Sequence, residues 1–241
     1  MKNNRLVYID NLSYREDNVP TNRSYGDGCG IARALDVVGE RWALLVVREL
    51  ILGPQRFTDL RQSLASASSN LVADRLRELT ERGVVRRHRL PPPAASWVYE
   101  LTDWGRRLEP IVIALGEWGL RAPFPPQPTV GATSVLLFLR TAGRPDPGDP
   151  PSTGRVELAG RVWTVRTAAG RTEIAPGGPP APEYDLRTDP ATLNAALDAP
   201  DTLDTALRDG RATFSGDRGA LDRLLRAVAR QSPVGEHPPQ P

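Results

Sequence analysis

Ser68-Ser69-Asn70-Leu71-Val72-Ala73-Asp74-Arg75-Leu76-Arg77-Glu78-Leu79-Thr80-Glu81-Arg82-Gly83-Val84-Val85-Arg86-Arg87-His88-Arg89 reads as a helix that stops at a glycine and turns into a basic strand. Leu71, Val72, Leu76 and Leu79 recur at helical spacing and form one buried stripe. Ser68 or Ser69 caps the start, because a serine oxygen accepts from the unpaired N–H groups of a first turn. Gly83 closes the end. The outward positions of the first half are Ser69, Asn70, Ala73, Asp74 and Arg77, with Arg75 beside them. The strand then carries Arg86, Arg87, His88 and Arg89 in a row.

Upstream, Ile31, Ala34, Leu35, Val38, Trp42, Leu45 and Val46 follow three- and four-residue steps. Gly39 interrupts them, which predicts helices over roughly 30–38 and 41–52. Gly53-Pro54 is a stop, and a further helix runs from Thr58 to Leu64 on Phe57, Leu60 and Leu64. Downstream, strand 84–90 meets Pro91-Pro92-Pro93, which cannot pair in a ladder. Trp97-Val98-Tyr99-Glu100-Leu101 alternates as the returning strand. Thr102 caps one last helix, 103–120, with an apolar face of Trp104, Leu108, Ile111, Val112, Leu115 and Trp118.

That order is a winged helix-turn-helix, mainly α with a β-hairpin wing, whose third helix enters the major groove of double-stranded DNA. Asn70 suits adenine, and Arg75 or Arg77 suits guanine or phosphate. Ser68 and Ser69 aim the helix start at phosphate. Arg86, Arg87 and Arg89 form a phosphate strip, and Arg56 and Arg61 flank the preceding helix, where they can hold the DNA backbone. The alternative for Arg75 and Arg77 is a solvated face, paired with Asp74, Glu78 and Glu81.

Several of these segments resemble the HxlR family of bacterial winged-helix regulators. They are Cys29-Gly30-Ile31-Ala32-Arg33-Ala34-Leu35-Asp36-Val37-Val38-Gly39-Glu40-Arg41-Trp42, Arg56-Phe57-Thr58-Asp59-Leu60, Leu76-Arg77-Glu78-Leu79 with Gly83-Val84-Val85, Tyr99-Glu100-Leu101-Thr102, Gly105-Arg106 and Trp118-Gly119. One departure is Gly30, where the family commonly has proline. The resemblance implies a homodimer built from the first and last helices of residues 26–122. Trp42, Trp104, Leu108, Ile111, Leu115 and Trp118 would then carry the interface. It also implies a possible redox role for Cys29, since some relatives sense oxidants with a cysteine there. Cys29 stands just before a helix start and near Arg33. The alternative is a small packing residue.

Pro123 to Pro128 holds four prolines in six residues and reads as a linker over 123–129, preceded at the far end by a polar arm over 1–25. Residues 130–232 predict an α+β domain, and 233–241 a disordered tail. Its strands are expected at 133–140, 154–159, 161–167 and 170–175, and near Arg211 to Ser215. Its helices are expected at 190–198, 201–208 and 217–230. Asp185-Leu186-Arg187-Thr188-Asp189, the leucine-paired helices and Gly210-Arg211-Ala212-Thr213-Phe214-Ser215-Gly216-Asp217 resemble a sterol-carrier-like fold. That resemblance implies a small apolar ligand lined by Val135, Leu137, Phe138, Trp163, Leu193, Leu197, Leu203, Leu207 and Phe214. The alternative for these residues is plain core.

Composition narrows the function classes. The chain has 241 residues, 39% hydrophobic and 25% charged, with net charge +2. All but one of its 31 basic residues are arginine, Lys2 being the exception. A single cysteine excludes an intramolecular disulfide and a cysteine zinc site, so no metal is expected. No apolar run approaches the length of a membrane span, and a cytoplasmic protein is expected. His88 and His237 are isolated, and P-loop, dinucleotide and HExxH motifs are lacking, so neither a cofactor nor an enzyme is expected. The reading is a dimeric regulator on a pseudo-palindromic operator, modulated by an apolar ligand. The alternative is a hydrophobic-ligand carrier with a helix-turn-helix used for protein contact.

Overall fold

The computed structural model describes residues 24–92, 94–123 and 129–229. The arm up to residue 23, linker residues 124–128 and the tail with His237 lie outside them. The chain divides into two compact units after Glu40. In the first, α1 (Gly30–Val38) follows a turn in which Ser24 Oγ and Tyr25 N donate to the Asp36 carboxylate at 2.9 and 3.0 Å.

The second unit opens with α2 (Ala43–Leu50), α3 (Phe57–Ser63) and α4 (Ser69–Glu81). Trp42, at the N-cap of α2, holds a left-handed φ of 78°. β1 (Val85–Arg89) and β2 (Trp97–Leu101) form an antiparallel wing pairing Arg87 with Tyr99 and Arg89 with Trp97. Gln55 adds a backbone bridge to the outer edge of β2 at Tyr99, through bonds of 2.9 and 2.8 Å. The expected helix 103–120 is instead two: α5 (Asp103–Arg106) and α6 (Glu109–Gly119). Pro110 explains the break, since proline has no N–H to donate and belongs in a first turn, where it starts α6.

The expected strand 133–140 is a helix, α7 (Ala132–Ala142). Thr133, Val135, Leu136, Leu137 and Leu139 are all buried, so the side chains are enclosed around most of the helix. A helix buried on all sides loses the polar face that gives a 3.6-residue period, and its apolar run then looks like a buried strand.

β3 (Ser152–Leu158), β4 (Arg161–Ala168), β5 (Arg171–Pro176), β6 (Tyr184–Thr188) and β7 (Thr213–Gly216) make one sheet in the order β5-β4-β3-β6-β7. Only the β3–β6 pair is parallel. Ala159-Gly160 and Ala169-Gly170 close the two hairpins with both residues at positive φ, which the two-residue turn requires. Strand alternation puts Val156, Leu158, Trp163, Val165, Tyr184 and Leu186 on one buried face. α8 (Pro190–Asp198), α9 (Thr202–Arg208) and α10 (Arg218–Ala229) complete the fold, with α7 contacting β5 and α10 contacting β6. The strand and helix bounds lie within a few residues of those expected, which is the ordinary scatter of element ends.

Candidate nucleic-acid interface

α4 is held by its inner stripe and by its cap. Val72, Leu76 and Leu79 are fully buried, and Ser68 Oγ accepts from Leu71 N at 3.2 Å. That fixes an outward face of Ser69, Asn70, Ala73 and Arg77, all exposed, with Asp74 half-buried beside them. Small side chains at 69 and 73 leave room for the helix to approach a groove. α3 sets the approach through Arg61, whose Nε donates to Ser69 Oγ at 2.8 Å and whose Nη1 donates to Ala67 O at 2.7 Å. Arg61 therefore staples the turn between α3 and α4 rather than standing free for phosphate.

The arginines of α4 differ from each other. Arg77 pairs with Asp74 at 2.9 Å, with the arginine well exposed and the aspartate partly so. Such a surface pair is worth about 0.2–1 kcal/mol, so a DNA phosphate or base can replace the carboxylate. The Arg75 side chain is 12% exposed and pairs with Glu78 at 2.7 Å. It stands beside the buried stripe in a helix-side ion pair, apart from the exposed positions 69, 70, 73 and 77. The helical phase explains this: position 75 adjoins the buried stripe at 72, 76 and 79.

The wing separates its basic residues onto two faces. Arg86 donates to Glu100, which is 8% exposed, and His88 Nδ1 and Arg106 Nη2 lie 3.5 and 3.9 Å from the same carboxylate. On the other face, the Arg87 guanidinium carbon lies 4.7 Å from the Trp97 ring centroid and 5.8 Å from that of Tyr99. Arg89 Nε donates to Ala95 O at 3.0 Å, and Arg56 Nε donates to Ser96 Oγ at 3.1 Å, tying α3 to the wing tip. The roles of Gln55, Ser96, Trp97 and Tyr99 were not foreseen from sequence. The alternation of β2 held the signal: residues 97 and 99 share a face and sit opposite 89 and 87.

The expected dimer residues fall on one element and its neighbours. No residue of α6 is buried, and Ile111 and Trp118 are 57% and 75% exposed. Leu115 is exposed too, while Trp42, Trp104 and Leu108 are half-buried. In the first unit, Cys29 is exposed and its N–H donates to Asp27 Oδ1 at 2.8 Å.

Of the residues expected to line a pocket, Val135, Leu137, Trp163, Leu193, Leu197 and Leu203 are buried, while Phe138, Leu207 and Phe214 are half-buried. A groove of about 440 Å³ lies elsewhere, at the ends of β3 and β6, lined by Glu157, Arg187, Asp189 and Arg211 among others. Its lining mixes four charged side chains with small residues, and it contains none of the expected residues. Among the described residues, no group of three or more histidine, cysteine or acidic side chains could hold a metal, and no helix is long and apolar enough to cross a membrane.

Comparison with known proteins agrees with the first half. The family described as HxlR-like helix-turn-helix matches residues 37–123. The uncharacterized HTH-type transcriptional regulator YybR of Bacillus subtilis is 38% identical over 96 residues, covering 39% of this chain and 74% of its own length. YvaP, another such regulator of Bacillus subtilis, is 36% identical over 86 residues, covering 36% of this chain and 80% of its own. Among solved structures, the redox regulator HypR in its oxidized form is 33% identical and wholly covered, over 40% of this chain, with a TM-score of 0.38.

Proposed function

The chain belongs to the HxlR-like helix-turn-helix family, whose relatives are HTH-type transcriptional regulators, and from that premise we propose that it binds a pseudo-palindromic operator as a homodimer in the cytoplasm. The observation that carries the proposal is the outward face of α4, Ser69, Asn70, Ala73 and Arg77, beside an exposed Arg87 that lies over the Trp97 and Tyr99 rings, with no carboxylate paired to it among the described residues. Asn70 and Arg77 read bases, and Arg56, Arg87 and Arg89 grip phosphates.

The test is a titration of fluorescent DNA, one fragment selected from a random library and one scrambled. Asn70→Ala is expected to lose on the order of 1–3 kcal/mol on the selected fragment and little on the scrambled one. Arg87→Ala is expected to weaken both and to shallow the slope of log K against log salt by about one unit. Arg86→Ala should change that slope by less than about half a unit, because Glu100 already neutralises the charge. Equal losses for Asn70→Ala on both fragments would remove it from base readout.

The dimer part rests on α6, a helix none of whose residues is buried and whose apolar Ile111, Leu115 and Trp118 are exposed. Trp118→Glu is expected to weaken self-association at least about tenfold, since a charge in a desolvated interface costs more than about 1.4 kcal/mol. Sedimentation equilibrium reads it; an unchanged dimer constant would place the interface elsewhere.

The sterol-carrier-like reading of residues 130–232 stays part of the proposal, supported by a sheet with helices on its buried face. A small apolar ligand there would have to displace packed side chains such as Trp163 and Leu197. Cys29 is accessible for an oxidant-sensing role of the kind the family resemblance implies.

A further inference from the structure

The wing carries an aromatic–arginine stack that the hairpin does not need for its own packing. A tryptophan that served the core would be buried, but Trp97 is 53% exposed. Register places Arg87, Tyr99, Arg89 and Trp97 on one face, and Arg87 lies over both rings. The base of this stack is fixed. Tyr99 is bridged on its outer edge by Gln55, and the next residue after the turn, Ser96, is held by Arg56.

Arg86 and Arg87 are neighbours with opposite treatment. Arg86 is held by a carboxylate, which takes up its N–H donors and cancels its charge. Arg87 is held by ring faces, which attract the cation while leaving its N–H edges available. An arginine on a free surface must give up rotamer freedom when it grips phosphate; one already ordered gives up less.

We propose that Trp97 is a positioning residue for DNA binding, holding the Arg87 guanidinium in place so that the wing meets a phosphate of the duplex with an ordered, uncancelled charge. The proposal rests on the DNA-binding reading above. It names a role for Trp97 beyond that reading, and it makes the indole act through Arg87 rather than by touching DNA.

The experiment titrates the full-length chain with a selected operator fragment by fluorescence anisotropy, at several salt concentrations. Trp97→Ala is expected to weaken binding about 2- to 5-fold, the range of an exposed cation–π contact. Trp97→Phe, which keeps a ring face, should recover most of this loss, and Trp97→Leu, which keeps only apolar bulk, should not. In an Arg87→Ala background, Trp97→Ala should have no further effect. A loss of the same factor in both backgrounds would mean that the indole acts without Arg87 and would overturn the proposal, as would rescue by leucine. If the unmodified chain shows no salt-dependent DNA binding, the DNA reading itself has failed and the proposal falls with it. That outcome is seen before any variant is made.

Discussion

Gly105→Ala is expected to destabilise the protein by about 3 kcal/mol and to lower its thermal midpoint by on the order of 10 °C. A Cβ at position 105 would lie 2.1 Å from Val84 O and 3.1 Å from Val84 C. Both are backbone atoms, so no rotamer change relieves the overlap, and α5 would have to lift off the start of the wing. The same junction is sewn together by Thr102, whose hydroxyl donates to Gly83 O at 2.7 Å and accepts from Gly105 N at 3.0 Å. Moving α5 therefore loosens a cap and a strand end together. Circular dichroism on heating checks it. A midpoint within about 2 °C of the unmodified chain would show that the junction yields more easily than its hydrogen bonds suggest.

The winged half was legible because its signals are local. Ser68, the Val72–Leu76–Leu79 stripe and Gly83 each act within a turn of the chain, and α4 begins and ends where they place it. The wing was legible for the same reason, with a proline turn between a basic strand opened by valine and an alternating returning strand. What the pattern could not carry was side-chain partnership. Nothing local distinguishes Arg86 from Arg87, yet the strand pleat sends one to Glu100 and the other to Trp97. Arg61 was likewise read as a phosphate contact, because its bonds to Ala67 O and Ser69 Oγ exist only once the turn has closed.

The C-terminal half was legible as elements and less so as a site. Its hairpins announce themselves by alternation and its later helices by paired leucines. The residues proposed for a pocket are the same residue types a core needs, and the two readings share every sequence signal. α7 failed for a deeper reason. Its burial is decided by elements on several sides, among them α2, β5, α8 and α10, most of them distant in sequence.

That enclosure sets the largest remaining expectation: Leu136→Ala should cost about 2–5 kcal/mol, and the loss should be felt in the winged half as well as in the sheet. Leu136 is fully buried in a helix that contacts both the α2 helix and the β5 strand. Two further contacts and one electrostatic interaction join the same two regions. Arg140 of α7 pairs with Glu109 at the start of α6. Pro176 of β5 lies against Gly53, where an added Cβ would stand 3.1 Å from the proline ring. Arg161 of β4 is half-buried and stacked on Trp163 at 4.5 Å; burial pulls its pKa below the ordinary arginine value, and the charges of Asp59 and Glu49 oppose that pull. Asp59 belongs to α3 and Glu49 to α2, so Arg161 on the sheet lies within electrostatic reach of the two helices that contact α4. A cavity at Leu136 should therefore raise the opening of α2 and of α10 by the same free energy, if the two regions unfold together. Hydrogen exchange read by mass spectrometry resolves the two. Lost protection confined to α7–α10, with α2 unchanged, would mean that the sheet region unfolds by itself and that its contacts with α2 and α3 add little to the stability of the DNA-reading half.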